Sequence, residues 1–225
     1  MTENISRKNR YDRRDSYKIR LIISAVLFVC FIIEFLMMKS GIMEDIDESA
    51  GAFARSLRTE ALNPVMIFIT NLGRWTTIVG IGVCIMIADL IWMKKPDYPI
   101  AIGGCLVNLG IYSILKRVIQ RPRPSEEFWL ITEHGFSFPS GHTMNGVFCY
   151  SMMLYLILIS TENETLKKDS CVFFPVIVFL IGISRIYCGV HYLSDVLGGA
   201  LIGLSLFLLA TVVIDDGLRR VSRTI

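Results

Sequence analysis

Three charged side chains in the last third of the chain, Arg185, His191 and Asp195, lie between two apolar segments. His191 and Asp195 are spaced i, i+4, which on a helix places both side chains on one face, one turn apart. A carboxylate in that position can hold an imidazole in one tautomer and orient its other nitrogen. Arg185 precedes the turn marked by Gly189 and carries a planar guanidinium suited to binding phosphate. Because charges between apolar segments are costly, this pattern predicts half of a phosphate-transfer site.

The composition indicates the environment in which these residues must work. The chain has 225 residues, of which 53% are hydrophobic, and its mean hydropathy is +0.54. This is too apolar for an ordinary soluble domain and predicts an integral membrane protein. The six cysteines fall in or beside apolar segments without CxxC spacing, which indicates buried thiols rather than a disulfide framework.

Six apolar segments are long enough to cross about 30 Å of hydrocarbon. They cover residues 21–38, 64–93, 98–115, 142–160, 171–187 and 190–213, and the second is interrupted at residues 71–74. Between the first two, Ile46, Ala50, Phe53 and Leu57 recur at helical spacing and predict a short amphipathic helix on the surface. The predicted fold is therefore an all-α membrane bundle of six transmembrane helices. Residues 1–20 and 215–225 are interpreted as cytoplasmic tails, the first basic and flexible, and residues 21–214 as the functional domain.

The distribution of basic residues predicts the orientation of the bundle. The amino-terminal cluster, Lys94 and Lys95, residues 167–168 and the arginines after residue 218 fall on one side, which the positive-inside rule assigns to the cytoplasm. Both termini are then cytoplasmic. The basic exceptions, between residues 116 and 123 and at Arg185, fall on the outer face, where they suggest binding of an anion.

Three separated segments meet at that outer face, and together they carry a resemblance. The segments are Lys116-x6-Arg123-Pro124, Pro139-Ser140-Gly141-His142 and Ser184-Arg185-x5-His191-x3-Asp195. They resemble the three signature motifs of the type 2 phosphatidic acid phosphatase superfamily, in order and at every signature position. The resemblance places the active site in residues 116–142 and 184–195.

The resemblance implies a role for each motif residue. His191 would be the nucleophile that forms a phosphohistidine, oriented by Asp195, and His142 the general acid on the leaving oxygen. The phosphate would be bound by the remaining motif residues, Lys116, Arg123, Ser140, Gly141 and Arg185. No metal-ligand spacing occurs, so neither a metal nor another cofactor is expected. Arg117, Arg121 and Tyr187 match no motif position and are interpreted as ordinary interfacial residues.

The resemblance also implies a class of substrate, a lipid phosphate or pyrophosphate in the bilayer. An outward-facing site favours undecaprenyl pyrophosphate, and the alternatives are phosphatidylglycerophosphate and phosphatidic acid. Two other classes remain open: a vanadium haloperoxidase-like oxidation, which the apolar spans disfavour, and a non-catalytic lipid-phosphate carrier, which the intact His142, His191 and Asp195 disfavour. No nucleic-acid partner is expected. The oligomeric state and a gating role for the surface helix are left open.

Overall fold

A computed structural model describes the backbone of residues 2–92 and 97–221 and the side chains of residues 16–83 and 102–215. Lys94, Lys95 and Arg223, used above to predict orientation, lie outside the described residues. The helices are α1 (Thr2–Lys39), α2 (Glu44–Ser56), α3 (Leu62–Leu72), α4 (Trp75–Trp92), α5 (Asp97–Ile119), α6 (Gly141–Ser160), α7 (Glu164–Tyr187) and α8 (Leu193–Val221). A short 3-10 turn covers Glu126–Phe128. The described backbone is otherwise turn and loop, which confirms the all-α prediction.

Five of these helices are long and apolar enough to cross a membrane, and there are six spans if α3 and α4 count as one. The axes of α3 and α4 are bent by 57° at the break that the sequence indicated. Gly73 lies at this break, where α3 passes so close to α7 that a Cβ on Gly73 would lie 2.6 Å from the Ile181 side chain. The chain at the bend therefore packs closely against α7, where only a glycine fits.

Helix α6 is the most buried span, and α5, α7 and α8 pack around it. Gly199 and Gly203 of α8 face its backbone: an added Cβ would lie 2.8 Å from the Ser140 carbonyl oxygen and 2.7 Å from that of Met144. This confirms that the Gly199-x3-Gly203 pair serves close helix packing. Helix α1 packs along the other side of α8.

Helix α2 is the short helix predicted between the first two spans, and the face that it buries is not its apolar face. The apolar Ile46, Phe53 and Leu57 are exposed, as an interfacial helix requires, whereas the buried residues are Asp47 and Ala54. One acid in the first turn of α2, Asp47, is therefore part of the protein interior, whereas Glu44 and Asp45 are exposed.

Helix ends differ from the predicted segment ends. Helix α1 begins at Thr2 and so extends through the stretch interpreted as a tail, which contains neither proline nor glycine to end a helix. The assignment of residues 1–20 as a cytoplasmic tail stays a prediction. Helix α8 likewise continues to Val221. Helix α5 extends to Ile119 and therefore includes Lys116 in its last turn.

Candidate active site

The three predicted motif segments lie at one end of the bundle, where α5 and α7 end and α6 and α8 begin. His191 lies in the turn before α8 rather than on that helix, which corrects the prediction of two residues on one helical face. The turn requires glycine at position 189: its φ is +74°, and a Cβ there would lie 2.1 Å from the Phe128 carbonyl oxygen. His191 and Asp195 still meet, with 3.2 Å between Nδ1 and Oδ2.

Asp195 is held by the start of α8. The Tyr192 carbonyl accepts the first helical hydrogen bond, and the Tyr192 N–H donates to Asp195 Oδ2 at 2.8 Å, which is half of a capping box. Ser137 Oγ also donates to Oδ2. Since Asp195 is fully buried, these donors compensate for the loss of water around its carboxylate.

The hydrogen bonds of His191 identify its tautomer. Arg123 Nη1 lies 3.1 Å from Nε2, and because a guanidinium can only donate, Nε2 must be the accepting nitrogen. Nδ1 then carries the proton and donates to Asp195. Burial, and then the positive charges of Arg185, Arg123 and Lys116, lower the pKa of His191 well below its usual value. The imidazole is therefore neutral, with its basic nitrogen available to a substrate.

His191 lines a cavity of about 480 Å³. Five predicted site residues line it together: Lys116, Arg123, Gly141, His142 and His191. Its opening adjoins a second, apolar groove of about 180 Å³ between α4, α5 and α6, and the two share Trp75, Leu109 and Asn145. A cavity lined by charged residues thus lies next to an apolar groove.

Arg185 lies completely buried behind the cavity. Its Nη1 donates to Thr70 Oγ1 and its Nη2 to Glu133 Oε1, both at 2.7 Å, while Nε has no hydrogen-bond partner among the described residues. Thr70 comes from α3, so the bend between α3 and α4 brings this hydroxyl to the site.

Glu133 is a site residue that the sequence interpretation missed. Its carboxylate lies 2.7 Å from Arg185, 3.9 Å from Arg123 and 4.0 Å from His142 Nε2. Although burial opposes its ionisation, Arg185, Arg123 and Lys116 hold the pKa of Glu133 below its usual value. An anionic side chain thus lies between Arg185, Arg123 and His142. No motif position marks Glu133 among the acids of its loop.

Ser140 and Gly141 occupy the start of α6. The buried Ser140 hydroxyl accepts hydrogen bonds from the Thr143 N–H at 3.5 Å and from the Thr143 hydroxyl at 3.0 Å, so it caps the helix. Gly141 lines the cavity, and a Cβ there would lie 2.5 Å from the Tyr112 ring. Packing against Tyr112 therefore already requires a glycine, and phosphate binding by Ser140 and Gly141 stays a prediction.

Arg121 corrects a second interpretation. It was read as an ordinary interfacial residue, but its Nη1 donates to Asp195 Oδ1 at 2.7 Å and its Nη2 donates to Asp47 of α2 at the same distance. The residue that orients the histidine is thus itself bound by an arginine outside the motifs. Across the described side chains, no three His, Cys, Asp or Glu residues are grouped as a metal site requires.

Comparison with known proteins agrees with the geometry. The sequence pattern of the PAP2 superfamily matches residues 98–218, which include every predicted site residue. The chain belongs to the PAP2 superfamily. It is a multi-pass membrane phosphatase of this family.

The relatives of this PAP2 protein include one of nearly equal length. Phosphatidylglycerophosphatase B of Bacillus subtilis (strain 168) is 34% identical over 184 residues, which are 81% of this chain and 90% of that protein. Lipid phosphate phosphatase delta of Arabidopsis thaliana is 31% identical over 118 residues, which are 45% of this chain and only 28% of that protein. These relatives are phosphatases, which supports an enzyme over a non-catalytic carrier.

Solved structures show the same fold. The crystal structure of a transmembrane PAP2 type phosphatidylglycerolphosphate phosphatase from Bacillus subtilis superposes with a TM-score of 0.82 at 32% identity and covers 86% of this chain and 96% of that chain. The structure of Aquifex aeolicus LpxE gives a TM-score of 0.59 at 24% identity and covers 74% of this chain and 94% of that one. The latter supports the fold alone.

Proposed function

We propose that this protein is a membrane lipid phosphatase that hydrolyses phosphatidylglycerophosphate through a phosphohistidine on His191. The observation that carries the proposal is the neutral His191, which lines a cavity together with cations, next to an apolar groove that shares lining residues with it. The relatives named above favour phosphatidylglycerophosphate over undecaprenyl pyrophosphate, the substrate expected from the sequence.

The first chemical step is attack of His191 Nε2 on the phosphorus. The N–P bond forms as the bond from phosphorus to the lipid oxygen breaks. His142, which becomes protonated when the negative phosphate offsets the surrounding cations, donates its proton to that leaving oxygen. Asp195 accepts the Nδ1–H hydrogen bond throughout and stabilises the positive charge on the imidazole. In the second step a water attacks the phosphohistidine, gives its proton to His142 and releases inorganic phosphate and neutral His191.

Arg185, Arg123 and Lys116 stabilise the negative charge on the phosphoryl oxygens. Arg123 is held in place by the carbonyl oxygens of Val190 at 2.8 Å and His134 at 3.1 Å, so its guanidinium is oriented before substrate arrives. Preorganised donors of this kind are worth most in the transition state, because they need no reorganisation when charge develops. Substrate binding transfers Arg123 from His191 Nε2 to the phosphate and displaces the Glu133 carboxylate from Arg185.

The apolar groove accommodates a substrate acyl chain. It is lined almost entirely by carbon, with residues such as Ile78, Leu106 and Met152, and it opens beside the cavity at Trp75, Leu109 and Asn145. A phosphate in the cavity would leave the lipid tail next to this groove, within the apolar part of the bundle. The positive-inside pattern of the sequence supports an orientation with both termini in the cytoplasm and the site on the outer face.

The proposal is tested by phosphate release from detergent-purified protein with EDTA present. The substrates are phosphatidylglycerophosphate, phosphatidic acid and undecaprenyl pyrophosphate, each assayed with the parent protein and with His191→Ala. We expect preference for phosphatidylglycerophosphate and loss of turnover in the variant. Preference for undecaprenyl pyrophosphate would overturn the substrate assignment, and full activity of His191→Ala would overturn the mechanism.

A further inference from the structure

Asp47 of α2 is a buried carboxylate outside the motif segments. It is 3% exposed, although Asp45 and Ile46 beside it face outward. Burial of a carboxylate is costly unless the charge is paired and hydrogen-bonded. The partners of Asp47 therefore indicate why an acid is present on this face of a surface helix.

The side-chain hydrogen bonds of Asp47 join α2 to Ser194 at the start of α8 and to Arg121. The Ser194 N–H donates to Asp47 Oδ1 at 2.8 Å, and the Ser194 hydroxyl donates to Oδ2 at 2.5 Å. Arg121 Nη2 also donates to Oδ2, at 2.7 Å. Ser194 directly precedes Asp195, so one side chain of α2 holds both the backbone and the arginine next to the aspartate of the site.

Arg121 bridges two carboxylates. Its Nη1 donates to Asp195 Oδ1 and to the Ser194 hydroxyl, each at 2.7 Å, while its guanidinium lies 4.1 Å from the centre of the Tyr192 ring. A planar group with donors at both ends and a ring against its face has one orientation. Asp195 Oδ1 is therefore occupied by Arg121, and only Oδ2 remains for His191.

We propose that Asp47 and Arg121 are positioning residues for the nucleophile, acting through Asp195; the inference rests on the proposed function of His191. Arg121 prevents rotation of the Asp195 carboxylate and so fixes the direction of the His191 Nδ1–H bond. Asp47 fixes Arg121 and shares its positive charge. With two carboxylates and one guanidinium, the group formed by Asp47, Arg121 and Asp195 keeps a net negative charge among the cations of the site, and this charge stabilises the imidazole as it becomes positive in the transition state.

A positioning role predicts which kinetic constant changes when the Asp47 charge is removed. Without the Asp47 charge, Arg121 would neutralise Asp195 fully, and the charge developing on His191 would lose part of its compensation. The phosphate is bound by Lys116, Arg123 and Arg185, none of which contacts Asp47. Removal of the Asp47 charge should therefore lower kcat and leave KM unchanged.

Three variants test the inference in purified full-length protein with phosphatidylglycerophosphate. Asp47→Asn should lower kcat by on the order of 10-fold to 100-fold, as loss of an outer-shell partner does, with KM within about 2-fold. Asp45→Asn, on the exposed side of the same helix, is the matched control and should behave as the parent. Arg121→Lys keeps the charge but loses the fork, and should lower kcat similarly.

The double variant Asp47→Asn/Arg121→Lys shows whether the two residues act as a unit. If they do, its kcat should be close to that of the single variant with the lower kcat, because the second change removes an interaction that is already lost. A kcat of Asp47→Asn equal to that of Asp45→Asn, a loss confined to KM, or losses that multiply in the double variant would each overturn the inference.

A measurement without substrate separates this inference from the proposed function. The hydrogen-bonded Nδ1 proton of His191, assigned by its loss in His191→Ala, gives an NMR resonance that reports the bond to Asp195. We expect the resonance to shift in Asp47→Asn and to stay in place in Asp45→Asn. If the parent released no phosphate from any lipid, the proposed function would fail, while this shift would still support the positioning role and its absence would overturn it.

Discussion

Replacement of Glu133 by glutamine should make the empty protein less stable and its affinity for phosphate higher. Glu133 pairs with Arg185 at 2.7 Å, and the Arg185 side chain is 0% exposed. Removal of one partner from a buried pair costs about 3–5 kcal/mol. Because the Glu133 side chain retains 18% exposure and glutamine keeps one accepting oxygen, the loss should be near about 2 kcal/mol.

The free energy lost with the Glu133–Arg185 pair should return as higher affinity for phosphate. In the parent protein a phosphate must displace the Glu133 carboxylate from Arg185, whereas in Glu133→Gln it binds an arginine that lacks a counter-charge. A difference of about 2 kcal/mol corresponds to about 30-fold tighter binding. For a chain of this length the empty variant should melt about 4–8 °C below the parent, and saturating phosphate should remove much of that difference.

The assay is thermal unfolding of the detergent-purified protein over a titration of inorganic phosphate. Glu127→Gln, an exposed acid on the 3-10 turn of the same loop, is the control and should match the parent in both quantities. Equal or weaker phosphate affinity in Glu133→Gln would show that the carboxylate supports the phosphate site instead of competing for it, and would refute this reasoning.

Two further predictions concern the groove and the nucleophile. Gly82 lines the apolar groove, and a Cβ there would meet open space. Gly82→Leu should therefore reduce turnover of long-chain lipid phosphates several-fold and leave turnover of a short-chain phosphate monoester unchanged. Gly80→Leu is the control, because a Cβ at Gly80 also meets open space but lies outside the groove, and it should leave both rates unchanged. Equal loss on both substrates would contradict a tail site. Because the pKa of His191 is lowered, its imidazole should stay neutral as the pH falls from about 7.5 to about 5. In 15N NMR, the two ring nitrogens should keep the chemical shifts of a neutral ring with Nδ1 protonated. An ordinary histidine becomes half protonated near about pH 6.5. A midpoint near that value would contradict the buried, cation-surrounded site.

The features that the sequence predicted correctly depend on local pattern. A span is recognised from the length of an apolar segment against the thickness of the bilayer, and the break before Trp75 from a polar interruption in such a segment. The packing role of Gly199 and Gly203 follows from their spacing on one face. The position of His191 was less predictable, because a difference of two residues in the start of α8 decides whether it lies on the helix or before it.

The substrate assignment came from a weaker kind of argument. Undecaprenyl pyrophosphate was favoured only by the predicted orientation of the site, since no residue was identified that would recognise an isoprenoid chain. The relatives favour phosphatidylglycerophosphate instead.

By itself, the sequence determined the class of fold, the number of apolar segments and the identity of the motif residues, since each of these is a property of neighbouring or regularly spaced positions. Only the tertiary structure decided the partners of those residues. Asp47 reaches Ser194 across 147 positions and Arg121 reaches Asp195 across 74, and Glu133 approaches Arg185 across 52. Pairing of buried charges acts through space and leaves no periodic trace along the chain. An arginine that binds a buried carboxylate, as Arg121 binds Asp195, therefore looks the same in sequence as one that faces the membrane surface.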